Sequence, residues 1–304
     1  MMYTTLLSAI VALLLGHLAR PLAMAMRRYG WWRWWLRHLD ALFDESGVWR
    51  SGWGIVIALL PVLAAMLALQ IAASFSWWRL GALLLGVIVL FHCWGPRDLD
   101  VDVAAVVDAA DAASRLQAAQ QLWPPDGQAT LEPRALVGRV LHTALERWFG
   151  PLFWFGLLGP VGALLYRLVV EAAQGSASAV LPASSARGAV RMKRWLDWPA
   201  AQLLTLSLAL VGDAASVRDA WKRHGGADHD AQADFLGAAG RASVREELAD
   251  EAQDLVLDGM DDAAAITVGL GPLPELRDAM SLLWRCLMIW LLVLAAFVLA
   301  GWML

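Results

Sequence analysis

The chain of 304 residues is poor in charge, poor in cysteine and entirely without asparagine. Only 17% of it is charged while 59% is apolar, against a globular norm of about a quarter and about a half, which argues against a pair of ordinary soluble domains. Two cysteines, Cys93 and Cys286, stand far apart in apolar surroundings, so neither a disulfide framework nor a cysteine-rich metal site can be assembled. The 24 basic and 28 acidic residues leave a net charge of -4, with no basic excess for the phosphates of DNA or RNA, and no nucleic-acid partner is expected. Lysine is confined to Lys193 and Lys222, and neither follows a glycine-rich loop, which excludes a P-loop ATPase. G-x-S-x-G, H-E-x-x-H and C-x-x-C are missing as well, and nothing in the chain asks for a cofactor.

What is present is hydrophobic length and tryptophan. A spanning helix needs roughly 20 residues with little charge. Ser51 to Trp78 is uncharged, Arg79 interrupts, and Leu80 to Pro96 is uncharged again, which predicts two helices at about 54–73 and 77–94. The tip at 74–79 carries one cation, while the flanks at 20–50 and 97–147 carry six and five, so the tip of this hairpin faces outward. Two further runs of 19 uncharged residues, Trp148 to Tyr166 and Cys286 to Leu304, also qualify. The first contains Gly150-Pro151 and Gly159-Pro160, breaks that in lipid must be satisfied by neighbouring protein or water. Trp198 to Gly212 is only 15 residues long. Charge parity then requires that 148–166 and 198–212 both cross or that neither does, and both readings leave 213–285 in the cytoplasm. The 18 tryptophans suit a lipid-water boundary, above all in Trp31-Trp32-Arg33-Trp34-Trp35, which reads as an interfacial anchor. Met1 to Ala19 reads as a retained hydrophobic or interfacial helix, since no basic residue precedes it and Arg27-Arg28 follow.

The polar stretches add structure and a few candidate sites. Asp98 to Trp123 reads as one Ala-rich helix ended by Pro124-Pro125-Asp126-Gly127. Asp98-Leu99-Asp100-Val101-Asp102 imitates a calcium loop, but Val103 and Ala109 stand where glycine and glutamate are needed, so the carboxylates are expected at a helix start. From near Thr130, Leu136, Val137, Val140, Leu141, Ala144, Leu145 and Trp148 form one apolar stripe, with Arg134, His142 and Glu146 opposite. His142 and Glu146, four apart, suit either proton exchange or a plain solvated pair. His224, Asp228, His229 and Asp230 are spaced for a divalent metal, although Gly225-Gly226 equally spells a polar loop. The segment 213–262, with thirteen acidic and five basic residues, reads as an acidic cytoplasmic lobe.

The run Trp148-Phe149-Gly150-Pro151 through Gly159-Pro160-Val161-Gly162 to Tyr166-Arg167 resembles the central motif of the AmpE/CobD family. Met192-Lys193-Arg194-Trp195-Leu196-Asp197-Trp198-Pro199 is similar to the leucine-aspartate-tryptophan-proline turn of that family's AmpE branch. The CobD/CbiB branch joins an aminopropanol-type group to a corrinoid carboxylate. The AmpE branch comprises inner-membrane proteins encoded beside a cytoplasmic anhydro-muropeptide amidase and described as regulatory in β-lactamase induction. The synthetic branch carries Glu-Asn ahead of the apolar motif and Asn-x-x-Asp-Ser after it, whereas this chain has Glu146-Arg147 and Val169-Val170-Glu171 there.

The resemblance therefore implies an AmpE-type regulator with the amidase as partner. A membrane enzyme using His142, Glu146 and Asp197 as acid-base groups, and a lipid-embedded scaffold, are the alternatives. The expected fold is all-α: a polytopic, multi-pass helical membrane protein of the bacterial inner membrane with cytoplasmic helical segments. Its divisions run 1–50 (N-terminal and Trp/Arg-rich), 51–96 (transmembrane hairpin), 97–147 (helical pair), 148–212 (broken membrane segments), 213–285 (acidic lobe) and 286–304 (C-terminal span). Segments 148–167 and 196–203 are expected to frame a membrane-facing cleft rimmed by Arg167, Arg194 and Asp197. The lipid bilayer is the surrounding partner, and assembly into a homo-oligomer is left open by the sequence.

Overall fold

The computed structural model describes residues 7–8, 11–12, 29–43, 47–75, 79–95, 97–125, 127–228, 233–257 and 272–299. Among these residues there are helices and connecting turns, and no strand. The chain divides into two compact units: Met1–Arg97, Glu146–Ala200 and Trp290–Leu304 form unit 1, and Asp98–Leu145 with Ala201–Ile289 form unit 2.

In unit 1, α1 (Gly30–Leu42) precedes the apolar helices α2 (Gly54–Phe75) and α3 (Arg79–Cys93), close to the expected hairpin, whose tip at 76–78 lies outside the described residues. Two stretches among the described residues, Gly54–Ser74 and Pro274–Phe297, are long and apolar enough to cross a membrane, and Leu80–Cys93 is a shorter apolar helix. At 22 residues α2 is about 33 Å long, matching a bilayer's hydrocarbon thickness. The run at 148–166 is not one rod. It folds as α7 (Gly150–Leu158) and α8 (Pro160–Gln174), broken at Gly159, whose φ of 68° is one that only glycine adopts at little cost. The polar groups freed by the break are taken up by Gln70 of α2: its amide nitrogen donates to the Leu158 carbonyl at 3.4 Å, and its oxygen accepts from the Val161 N–H at 3.2 Å. Helix α8 is the centre of the unit, packed on α2, α3 and α7, and it buries residues around most of its circumference.

The second motif lies in a long helix, α9 (Ala183–Val211). Here the expectation of a turn at 196–203 is corrected: Pro199 sits inside the helix. Its ring costs one backbone hydrogen bond, but the flanking residues carry the helix through, and Trp154 Nε1 of α7 donates to the Leu196 carbonyl at 3.1 Å. The run at 198–212 is accordingly the C-terminal half of α9 rather than a helix of its own.

In unit 2, Asp98 to Trp123 forms two helices instead of the single one expected, α4 (Leu99–Val107) and α5 (Ala112–Ala119). The second starts at Asp111, which makes a reciprocal capping box with Ser114, a start signal that a uniformly Ala-rich stretch conceals. Asp98 accepts from the Asp100 N–H and caps α4, as the carboxylate-rich start implied. The turn at 124–127 closes with the Gly127 N–H on the Pro124 carbonyl at 2.9 Å. Helix α6 (Pro133–Ala144) buries the expected stripe and packs on α11 (Phe235–Leu257), where small residues such as Gly237, Ala239 and Gly240 allow close approach. Helix α10 (Ala214–Arg223) packs along α11, and α12 (Pro274–Leu299) comes after it in the chain.

Candidate functional site

The largest concentration of buried charge lies in unit 1, on the two motif-bearing segments. Between α6 and α7 the backbone makes one π-helical turn, Leu145–Phe149. Such a turn adds a residue to the winding, and Glu146 lies within it, where the periodicity read along α6 no longer holds. Glu146 is buried, and its Oε1 lies 3.0 Å from Lys193 Nζ of α9. The same ammonium sits 2.5 Å from Asp197 Oδ2, one helical turn along α9, and the other Asp197 oxygen accepts from the Tyr166 hydroxyl of α8 at 2.6 Å. Gly150 lets this ring lie against α7, since a Cβ there would run into the Tyr166 ring.

Next along α8, Arg167 is 3% exposed and pairs with Glu171 at 2.5 Å. Its guanidinium carbon lies 5.2 Å from the centre of the Tyr29 ring, and the Tyr29 hydroxyl donates to the His92 carbonyl at 2.6 Å. With Arg147, also buried and donating to the Arg97 carbonyl at 3.3 Å, the described residues of the unit hold three buried cations and two buried carboxylates, Glu146 and Glu171, beside the partly exposed Asp197. Burial works against the Lys193 ammonium, but the carboxylates of Asp197 and Glu146 outweigh it and hold its pKa above the ordinary lysine value. Chemically this is an ionic cluster around one lysine, with a phenol hydrogen-bonded at its edge.

The other sequence candidates fall elsewhere. His142 belongs to unit 2, where its Nε2 lies 2.8 Å from Asp234 Oδ1, so its carboxylate partner is Asp234 and the basic partner of Glu146 is Lys193. Burial acts to raise the Asp234 pKa, but the hydrogen bond from His142 and the charges of His142 and Arg241 prevail and hold it below the usual carboxylate value. Arg194 is exposed, one residue from Lys193, whereas Arg167 is enclosed. Of the metal candidates, His224 and Asp228 are exposed, while His229 and Asp230 lie outside the described residues. Among the described residues no three His, Cys, Asp or Glu side chains gather as a metal site would require.

Lys193, Tyr166 and Glu171 are the members that the sequence candidates left out. The available signal was the i,i+4 spacing of Lys193 and Asp197 within a motif of the chain's scarcest basic residue. Comparison of the chain with protein-family models, with curated proteins and with solved structures finds no match.

Proposed function

We propose that this chain is a multi-pass inner-membrane protein of the AmpE type, acting as a sensory or regulatory component in β-lactamase induction beside a muropeptide amidase. The observation that carries the reading is that the two segments resembling the family motifs share one buried core. Tyr166 is bonded to Asp197, Trp154 to the Leu196 carbonyl, and Glu146 to Lys193. Two motifs more than twenty residues apart would need no such common centre if they were incidental apolar runs. The membrane setting is supported by the apolar surface of the long helices: Leu60, Leu67, Leu69 and Ile71 of α2 and Met288, Leu292 and Phe297 of α12 are all exposed, as lipid-facing residues are. Exposed Trp31, Trp34, Trp53 and Trp195 suit the boundary.

Regulation is favoured over catalysis because Lys193 and Arg167, the cations at the centre of the core, are each engaged by carboxylates of the chain itself. Ionisable groups held in this way are expensive to bury and are typically retained for a functional arrangement. The test is Lys193→Met in a host with an inducible β-lactamase. Membrane insertion is retained and antibiotic-induced expression falls at least several-fold; an unchanged induction ratio at equal protein level removes the proposal. The enzyme alternative draws on one observation, that Glu146 and Asp197 meet on a single cation. It requires growth of a cobalamin-deficient strain to be rescued by this chain.

A further inference from the structure

A second gathering of cations stands in unit 2, in a cleft of about 1080 Å³ between α6, α10 and α11. Its size is slightly above the roughly 300–1,000 Å³ typical of small-molecule sites. Among the described residues of 213–257 there are nine carboxylates and five basic side chains. Three of the five basic residues line the cleft, Arg223, Arg241 and Arg245, but only one of the nine carboxylates, Asp219. An acidic segment has thus turned its cations to one place. Arg134 supplies a fourth guanidinium from the facing helix α6 and has no ion-pair partner among the described residues, while Glu132 and Glu275 are the remaining carboxylates on the wall.

The arginines are not equally loose. Arg241 is the more enclosed: its Nη2 lies 3.2 Å from Asp234 Oδ2, and the opposite oxygen of that carboxylate is occupied by His142 at 2.8 Å. Glycines leave the guanidinium its room, since a Cβ at Gly138 or Gly237 would come within 2.8 or 3.0 Å of Nη1. Arg223 and Arg245 are largely exposed, paired with Asp219 at 3.0 Å and Glu246 at 3.5 Å. Such exposed pairs are weak and exchange readily for a better acceptor. One partly enclosed and three exposed guanidiniums over an apolar floor that includes Val137, Ala242 and Leu248 match an anion with an apolar body.

We propose that this cleft binds a small soluble organic anion bearing two phosphate or carboxylate groups, gripped by Arg134, Arg241 and Arg245. A lipid headgroup offers the same chemistry. However, Glu275 at the cleft edge precedes the last charged residue of α12, Arg285, by about 15 Å of helix, and the uncharged run starts only beyond it. This assignment is independent of the Lys193 core and of the regulatory reading.

The test uses the full chain in phosphatidylcholine nanodiscs, titrated calorimetrically with pyrophosphate and with citrate. One saturable site is expected for at least one of these probes. The double variant R134Q/R245Q, at two exposed positions, weakens it at least about tenfold at an unchanged melting temperature. Arg218→Gln, exposed on α10 but off the cleft, leaves affinity unchanged. Lack of saturable binding, an R134Q/R245Q protein that binds as tightly as the parent, or an equal loss in R218Q overturns the proposal. Repetition in nanodiscs containing phosphatidylglycerol separates the sources. Unchanged affinity supports a soluble ligand, and loss of binding assigns the cleft to a lipid headgroup and overturns the soluble one.

Discussion

Lys193 is buried and held by two carboxylates, one of them, Glu146, buried as well. Removing one partner of a buried ion pair leaves the others unpaired and costs about 3–5 kcal/mol, whereas removing the whole set for apolar or neutral isosteres is often close to neutral. Lys193→Met is therefore expected to lower stability by about 3–5 kcal/mol. The triple variant Glu146→Gln/Lys193→Met/Asp197→Asn recovers most of that loss. Thermal or chemical unfolding in detergent micelles measures both, and a triple variant no more stable than the single one would contradict the picture of an ionic cluster. Part of this site was readable in advance. Asp197 and Glu146 stood among the candidates because their chemistry and spacing were visible. Lys193 entered the sequence reading only as one of two lysines without a glycine-rich loop, and as part of the second motif. The pairing of Glu146 with it depends on a π turn that no residue pattern announces.

At the scale of elements, the uncharged stretches translated almost directly into α2 and α3, because length without charge is the physical requirement itself. Readings that depended on a breaker fared unevenly. Gly159-Pro160 does interrupt the apolar run, since glycine alone takes the φ of 68° and proline starts the next helix without needing its N–H. Pro199 does not interrupt α9, because a single lost hydrogen bond in a 29-residue helix is offset by the packing on both sides of it. The contrast gives a prediction. Gly159→Ala, forced into a backbone region closed to L side chains, is expected to destabilise the protein by about 1–3 kcal/mol. A melting temperature in micelles equal to that of the parent would show that the break relaxes without glycine.

For the molecule as a whole, the decisive property is where its apolar surface lies. Helices α2 and α3 both present leucines outward, among them Leu60, Leu67, Leu80 and Leu84, instead of reserving them for the interior. The chain is accordingly expected to stay with the membrane pellet through alkaline carbonate washing and to enter solution only with detergent. Recovery as a dispersed, detergent-free species would remove the bilayer from the account. Composition pointed the same way, because 59% apolar residues exceed the roughly half that an average globular domain carries. Which polar residues end up enclosed was hidden, since that depends on how distant segments meet.

Gln70 has a role wider than its size. One amide from α2 reaches the severed ends of two helices, receiving from one and giving to the other. The same two helices pack on each other across the joint, so this amide ties α2 to a corner that the chain already holds. Whatever tugs on α2 is thereby felt at the α7–α8 elbow, in the same helix as the tyrosine that touches the ionic core.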